Sequence, residues 1–227
     1  MKELDLYLAD DTGSNFDFIW MIKNSVVPRP IAWVQTQNAA GRGNLAPYSY
    51  FNLVSMDPPT LMISFVGQKD SYDNIKETGE FVVNMVSEGL AEVETASAAI
   101  LPAEVDEIAL LGLATIPSTR VAPPRLAVAK VALECVFLSE IEVYDTRVII
   151  GQVLGIHADD DILDESGRVD VLKYRPVGRL GGSLYTTVTN QYRHVVPGAT
   201  PEWIGAQPGG EAALVALGAS EPQKENH

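Results

Sequence analysis

The alternation of apolar and polar residues along the chain predicts a protein built mainly from β-strands. In 28–37 (PRPIAWVQTQ), Ile31, Trp33 and Gln35 face one way and the residues between them face the other, which is strand periodicity. Comparable patterns predict further strands at 44–56 (NLAPYSYFNLVSM), 60–66 (TLMISFV), 80–86 (EFVVNMV), 131–144, 147–158 and 179–190. The two long segments meet at Asp145-Thr146 and are therefore expected to be antiparallel neighbours.

Helices are predicted between these strands rather than in regular alternation with them. A short amphipathic helix is expected at 16–27. A second opens in 67–79, where Asp70 or Ser71 can cap its start and Gly79 can end it. Residues 88–112 also have a helical pattern, which is broken at Pro102 and offers Asp106 as a second cap. Inserted helices favour an antiparallel barrel or sandwich over a doubly wound sheet.

The turn signals and the ends of the chain complete this outline. NAAGRG (38–43) is a plausible hairpin turn, and Pro47 marks an edge, a bulge or an irregular stretch in the strand that follows. Residues 1–15 are polar, acidic and expected to be loose. Residues 198–227 are rich in Gly, Ala, Pro and Glu and are interpreted as a tail. The predicted domain is therefore 16–197.

Charge excludes several kinds of partner. The formal net charge is −14, whereas nucleic acid and anionic membranes need a basic face, so neither is expected as a partner. Residues 77–119 hold no Lys or Arg but eight acidic residues, which we interpret as a solvated helical face. The sequence shows neither a signal peptide nor a long apolar run, which predicts a cytoplasmic protein.

Several familiar motifs fail on inspection. GRGNLA (41–46) formally matches a dinucleotide fingerprint, but that fingerprint requires a helix, and an extended stretch through Pro47 follows instead. The three histidines lie far apart without ligand spacing, so no metal site is predicted. The single cysteine, Cys135, stands in an apolar run and is interpreted as a buried, inert thiol.

Three segments could converge on one ligand. Arg29 and Trp33 offer a cation and a large flat ring, and NLAPYSYFN (44–52) follows on the next strand. KDSYDN (69–74) begins a helix, whose free N–H groups favour anions. Each signal has a simpler interpretation: a core tryptophan, an arginine that holds a surface turn, and a plain helix cap with a solvated lysine. Spacing alone predicts a β-rich domain with a plausible phosphate site.

In combination, the segments resemble the flavin reductase-like, FMN-binding split-barrel family. The resemblance spans roughly residues 20–197 and rests on the order of its motifs. They are PRPIAWVQT, a glycine turn, NLAPYSYFN, DPP, KDS with a following NI, GEFVVN, VDE with a following GL, VALEC and RLGGSLY. The resemblance implies a split β-barrel and a homodimer that binds FMN near the subunit interface.

The same resemblance implies the cofactor-binding residues. The segment around Ser49 would run beside the flavin, Lys69 to Ser71 would lie near its phosphate, and Trp33 would lie near its ring. The full set implied is Arg29, Trp33, Asn44, Ala46, Pro47, Tyr48, Ser49, Tyr50, Ser64, Lys69, Asp70, Ser71 and Tyr185. No catalytic residue is predicted, because the flavin itself would carry the redox chemistry.

The sequence is compatible with three functions. The first is an FMN-dependent reductase that takes hydride from NADH or NADPH. The second is a flavoredoxin-like electron carrier that takes electrons from a protein partner. For either function, the electron donor or acceptor is expected to be a small molecule or a protein. The third is an FMN-binding module without turnover.

Overall fold

A computed structural model describes residues 16–102 and 104–217 of the 227-residue chain. The strands are β1 (Arg29–Pro30), β2 (Ala32–Gln37), β3 (Gly43–Tyr48), β4 (Phe51–Met56), β5 (Pro59–Val66), β6 (Glu80–Met85), β7 (Thr115–Ile116), β8 (Arg125–Leu126), β9 (Val131–Val143), β10 (Thr146–Ala158), β11 (Val177–Arg179) and β12 (Tyr185–Thr187). The helices are α1 (Phe16–Ser25), α2 (Asp70–Thr78), α3 (Ala91–Ala96), α4 (Glu107–Leu110), α5 (Val171–Tyr174), α6 (Pro201–Gly205) and α7 (Gly210–Ala216), with 3-10 turns at Glu88–Leu90 and Asp160–Ile162.

The main sheet closes into an antiparallel barrel. In the described part of the chain it has seven strands in the order β3-β2-β6-β9-β10-β5-β4, and every neighbouring pair is antiparallel. The strands at its opposite edges, β3 and β4, are joined by only Ser49 and Tyr50. Such a short link forces the two edges together, so the sheet must curl round on itself. The predicted barrel with helical insertions is therefore confirmed.

Strand β2 explains how the barrel is covered on both sides. Ala32 and Val34 pack in the larger apolar cluster with Phe65, Phe81 and Cys135. Trp33, on the other face of β2, packs with Ile31 in a second cluster that α4, β8 and β11 complete. The predicted alternation is thus correct, but both faces of the strand are buried because helices and loops cover the outside of the barrel.

Several local predictions are confirmed. β9 and β10 form the expected antiparallel pair. Gly79 ends α2 in the left-handed conformation with φ 76°. The side chain of Asp106 caps α4 by accepting hydrogen bonds from the N–H groups of Ile108 and Ala109. Pro47 lies on the edge strand β3, where a residue without an N–H is tolerated.

Other local predictions are wrong in detail. The strand predicted at 44–56 is two strands, because the chain turns at Ser49 and Tyr50 to cross from one edge of the sheet to the other. The cap position of α2 is Lys69, whose extended backbone precedes the helix, and neither Asp70 nor Ser71 caps it. The helix predicted over 88–112 is reduced to a 3-10 turn, α3 and α4.

The described part of the chain divides into two compact units, one that ends at Asn190 and one that begins at Gln191. The described part of the second unit contains α6 and α7, and Thr200 caps α6 through its hydroxyl, which accepts a bond from Trp203 N. The segment interpreted as a tail therefore has local helical structure. The predicted loose segment 1–15 lies outside the described residues. Within the described residues, no helix combines the length and the apolar character that crossing a bilayer requires.

Candidate functional site

A cavity of about 790 Å³ opens beside the link between β3 and β4. Its walls come from that link, the start of α2, helix α1, the glycine turn (180–184) between β11 and β12, and the end of α3. The predicted cofactor-binding residues that line it are Arg29, Asn44, Ala46, Pro47, Tyr48, Ser49, Tyr50, Ser64, Lys69, Asp70, Ser71 and Tyr185. Pieces of chain that lie far apart in sequence thus meet in one cavity within the first unit.

Trp33 is the predicted site residue that does not line this cavity. Its side chain is fully buried in the second apolar cluster. Its indole N–H donates a 2.8 Å hydrogen bond to Ser97 Oγ, and Ser97 does line the cavity. The structure therefore gives Trp33 a packing and positioning role behind the wall, and its side chain is not among the residues that line the cavity. Trp33 is buried because helices and loops cover the outer face of the barrel at this point.

Ser71 joins β3 to α2 through a buried hydroxyl cluster. Ser71 Oγ accepts hydrogen bonds from Asn44 Nδ2 at 2.7 Å and from Tyr48 Oη at 3.0 Å. Both bonds use the oxygen lone pairs, and in the described residues the Ser71 proton has no acceptor. Burial raises the pKa of Tyr48 to about 12, against a smaller lowering by the Ser71 bond. The phenol therefore stays protonated, and the Ser71 hydroxyl is left oriented to donate.

The first turn of α2 adds free donors beside this cluster. The first helical bond of this turn runs from Asp73 N to Lys69 O, so the N–H groups just before Asp73 have no carbonyl partner within the helix. Lys69 stands at the cap position with no side-chain capping bond, and its side chain is exposed at the cavity wall. A lysine, a serine hydroxyl and helix N–H groups together suit an anionic group.

Arg29 lines the cavity but has a structural task as well. Its Nη1 donates to Lys23 O at 2.6 Å and Val26 O at 2.9 Å, and its Nη2 donates to Leu180 O at 2.7 Å. These bonds join the end of α1 to the glycine turn. Its Nε lies 3.5 Å from Ser49 Oγ, the edge of hydrogen-bond range. Arg29 therefore holds this part of the cavity wall in place and adds its positive charge to the cavity, but few of its N–H donors remain for a ligand.

Arg179 and Tyr185 form a second polar group on the wall. The guanidinium lies over the Tyr185 ring, 4.4 Å from its centroid, and also donates to Tyr185 Oη and to Gly182 O. Tyr185 Oη in turn lies 2.8 Å from Thr95 Oγ1. These contacts hold the guanidinium in one orientation at the cavity.

Two acidic residues at the site were missed by the sequence interpretation. Glu94 and Glu107 line the cavity and are 2% and 8% exposed, so they do not belong to a solvated helical face. Glu107 Oε2 accepts the N–H of Leu45, on the free edge of β3, at 3.0 Å. Burial is the largest cause of a raised pKa for both carboxyls. In the sequence, the feature that could have indicated a role for Glu107 is its position directly after the Asp106 cap and before an apolar run.

The balance of charge in the cavity differs from that of the whole chain. Four cations line it: Lys23, Arg29, Lys69 and Arg179. Within residues 16–102 and 104–217, none of the four makes an ion pair, whereas Lys76, Lys130, Arg147 and Arg175, outside the cavity, all do. The acids on the wall are Asp70, Glu94 and Glu107. Among the residues that the structure describes, a protein of net charge −14 thus gathers four cations without ion pairs on one cavity wall.

The fold and site together define a class: a split β-barrel whose edge strand borders a polar cavity with unpaired cations. Residues 24–178 match the family model of the flavin reductase like domain, so the chain belongs to the flavin reductase-like family. An uncharacterised protein of Aquifex aeolicus is 45% identical over 170 residues, which are 73% of this chain and 87% of the relative.

Two solved structures are similar to this chain over nearly their full length. The 2-nitrobenzoate 2-nitroreductase NbaA of Pseudomonas fluorescens is 34% identical with a TM-score of 0.79, and the match covers 88% of this chain and 98% of NbaA. Component B of the nitrilotriacetate monooxygenase of Bacillus cereus is 29% identical with a TM-score of 0.79, covering 86% of this chain and 98% of that protein.

Proposed function

We propose that this protein is an FMN-binding oxidoreductase whose flavin lies in the 790 Å³ cavity. The observation that carries the proposal is the unpaired Lys69 beside the oriented Ser71 hydroxyl at the start of α2, next to an edge of β3 that has no strand partner. A phosphorylated, flat, amide-edged molecule needs both features in one site. The volume lies in the upper part of the roughly 300–1,000 Å³ range of small-molecule sites.

The phosphate would be held at the start of α2. Lys69 supplies a full charge, the first-turn N–H groups supply partial positive charge, and Ser71 supplies a donor that Asn44 and Tyr48 orient. Charge-assisted bonds of this kind contribute roughly 1.5–3 kcal/mol each. Asp70 and Glu107 oppose them nearby, and the raised pKa of Glu107 reduces that opposition.

The ring would be held along residues 46–50. β3 is an edge strand, so the backbone groups on one of its sides have no strand partner. Pro47 and Ser49 lie on the wall and leave room for a ring to approach the backbone. FMN, when bound, supplies the hydride and electron transfer chemistry, while this chain supplies binding and orientation.

The relatives support a reductase over a module without turnover. NbaA is described as a nitroreductase and the Bacillus cereus protein as a monooxygenase component, and each is similar to this chain over nearly its full length. We propose NADH or NADPH as the electron donor. The second candidate is an electron carrier that a protein partner reduces, which the strongly acidic surface favours because a basic partner would be steered to it.

The test is anaerobic mixing of the FMN-loaded protein with NADH, with NADPH and with a reduced protein donor. Prompt bleaching of the flavin absorbance by a pyridine nucleotide supports the reductase, and bleaching only by the protein donor supports the carrier. Failure of the purified protein to bind FMN in a fluorescence titration would overturn both. A homodimer and a cytoplasmic location are part of the same proposal and await their own measurements.

A further inference from the structure

The cavity has cations at two separate parts of its wall. Lys69 stands at the start of α2, whereas Lys23, Arg29 and Arg179 surround the glycine turn. FMN carries one phosphate, and the site proposed for it uses Lys69 and Ser71. The second group of cations is therefore left for a different anion.

The contacts of the second group show which side chains are free to bind. Arg29 is committed to the carbonyls of Lys23, Val26 and Leu180. Lys23 lines the cavity, and among the described residues its ammonium group has no hydrogen bond or ion pair. Arg179 is stacked on Tyr185 and fixed by Gly182 O, and it makes no ion pair at contact distance, although the charge of Glu94 on the same wall interacts with it.

The glycine turn is packed so that this orientation is preserved. Gly182 has φ +60°, and a Cβ built there would lie 2.6 Å from Trp20 Cη2 of α1. A Cβ built at the preceding Gly181 would overlap Asn24. Helix α1 therefore lies directly on the turn, which keeps Lys23 of α1 and Arg179 of β11 on one wall.

We propose that Arg179 and Lys23 bind the anionic group of the second substrate, so that this substrate is an aromatic or nicotinamide compound carrying a negative charge. The proposal rests on the proposed flavin site. The charge could be a phosphate of a nicotinamide dinucleotide or the carboxylate of an aromatic acid. A guanidinium held in a fixed plane recognises either group with paired N–H donors.

Equilibrium binding to the oxidised, FMN-loaded protein tests this without turnover. Isothermal titration calorimetry would compare benzoate with benzamide, and NAD⁺ and NADP⁺ with 1-methylnicotinamide. We expect the wild-type protein to bind one of the anions at least tenfold more tightly than its uncharged or cationic counterpart. A preference for benzoate over benzamide would identify a carboxylate as the anionic group. A preference for NAD⁺ or NADP⁺ over 1-methylnicotinamide would identify a phosphate.

Variants then assign the preference to residues. Arg179→Gln is expected to remove most of that tenfold preference, Arg179→Lys to retain part of it, and Lys23→Gln to reduce it. The Kd for FMN should stay within about twofold of the wild-type value in all three. Should Arg179→Gln fail to fold, Lys23→Gln still decides the matter.

Two results would overturn the inference: a wild-type protein that binds anions no better than their counterparts, or an Arg179→Gln variant that loses affinity equally for both. Either result leaves the flavin site intact, because FMN affinity is measured separately in the same samples. Loss of FMN binding in the wild-type protein would instead remove the proposed function itself.

Discussion

At the scale of single residues, Lys69 is the side chain that most directly tests the phosphate site. Replacing Lys69 by Ala removes a full charge from the cap position of α2 but no hydrogen bond within the protein. We expect the Kd for FMN to rise about tenfold to a hundredfold, since a decade corresponds to about 1.4 kcal/mol. Flavin fluorescence titration at low salt measures it.

Lys76 provides the matched control for that experiment. It lies on the same helix, pairs with Glu140 at 3.2 Å and does not line the cavity. Lys76→Ala removes the same charge from α2 and should leave the Kd for FMN within about twofold of the wild-type value, a bound we set for an effect well below a decade. An unchanged Kd in a folded Lys69→Ala variant would refute the assigned role of Lys69.

Gln35 is a second residue with a testable consequence, here for stability. Its side chain is buried in β2, and within the described residues neither its amide nitrogen nor its amide oxygen has a hydrogen-bond partner. A buried unpaired polar group costs about 1–3 kcal/mol. Gln35→Met keeps the shape and removes the polar atoms, so we expect the free energy of unfolding in urea to increase by about 1 kcal/mol.

Gln37, two residues further along β2 and only half-buried, is the control for this substitution. Gln37→Met should change the free energy of unfolding by no more than about 0.5 kcal/mol, as most substitutions outside the core do. A Gln35→Met variant less stable than the wild-type protein would contradict the expectation that this buried amide costs stability.

At the scale of elements, the sequence could predict what is local. Strand alternation placed β2, β5, β6, β9 and β10 close to their true bounds, and the caps Gly79 and Asp106 follow from residue type. The contact of Ser71 with Asn44 and Tyr48 joins elements 23 and 27 residues apart, which spacing cannot foresee. Residue types indicated that these segments could converge on one ligand, and the resemblance to a family implied it, but neither predicted this contact.

The acidic helices show why the remainder could not be predicted. Glu94 and Glu107 belong to a segment whose composition is that of a solvated surface, yet the barrel wall buries them. Burial depends on what packs over a helix, and a pattern within the helix does not contain that information. The same reason moved Trp33 from the predicted ligand site into the core.

The loop between β7 and β8 is held by the buried carboxylate of Glu134, and this contact predicts how the stability of the protein depends on pH. Glu134 of β9 is fully buried, lies 2.5 Å from His157 Nε2, and accepts the N–H groups of Thr119 and Arg120. Burial by itself raises the pKa of Glu134, but the two N–H bonds and His157 outweigh it, so the net pKa is lowered. Folding therefore favours the ionised carboxylate.

The sign of the effect follows from that lowered pKa. The stabilisation by Glu134 is fully present above its unfolded pKa, near the ordinary value of 4.5, and is lost as pH falls through the lower folded pKa. We expect Glu134→Gln to reduce the free energy of unfolding at pH 7 by about 1–3 kcal/mol. The difference in stability between this variant and the wild-type protein should shrink as pH falls from 4.5 through the lower folded pKa. Urea unfolding at a series of pH values measures it.

Glu142, also on β9, is the control for the pH series. It pairs with Arg147 at 2.8 Å, but its side chain is mostly exposed. Glu142→Gln should change stability by less than about 1 kcal/mol at every pH, as exposed ion pairs do. A Glu134→Gln variant whose deficit stayed constant down to the acid transition would show that the ionised form is not what stabilises the connection.

At the scale of the whole molecule, the cavity and the surface have opposite charge preferences. The net charge of −14 repels anions at long range, while the cavity presents unpaired cations at short range. Anionic ligands therefore bind against the overall field, so added salt should speed their association by screening it. A basic protein partner would show the reverse dependence, which links this balance to the choice between reductase and carrier.

The surface also carries apolar side chains that a monomer rarely exposes together. On the edge strand β4, Leu53, Val54 and Met56 are 59%, 53% and 69% exposed. A second copy of the chain, as the family resemblance implies, would cover such a surface. We therefore expect light scattering to report twice the 24.5 kDa mass of the chain.

A charge placed on β4 tests where the two copies meet. Met56→Glu should shift the measured mass toward one chain, because the exposed methionine would lie in the interface, whereas Leu172→Glu on α5 should not. FMN titration of the same samples separates assembly from binding: if the site lies near the interface, the Met56→Glu variant loses FMN affinity as it dissociates. A monomeric variant that keeps wild-type FMN affinity would show that one chain completes the cavity alone.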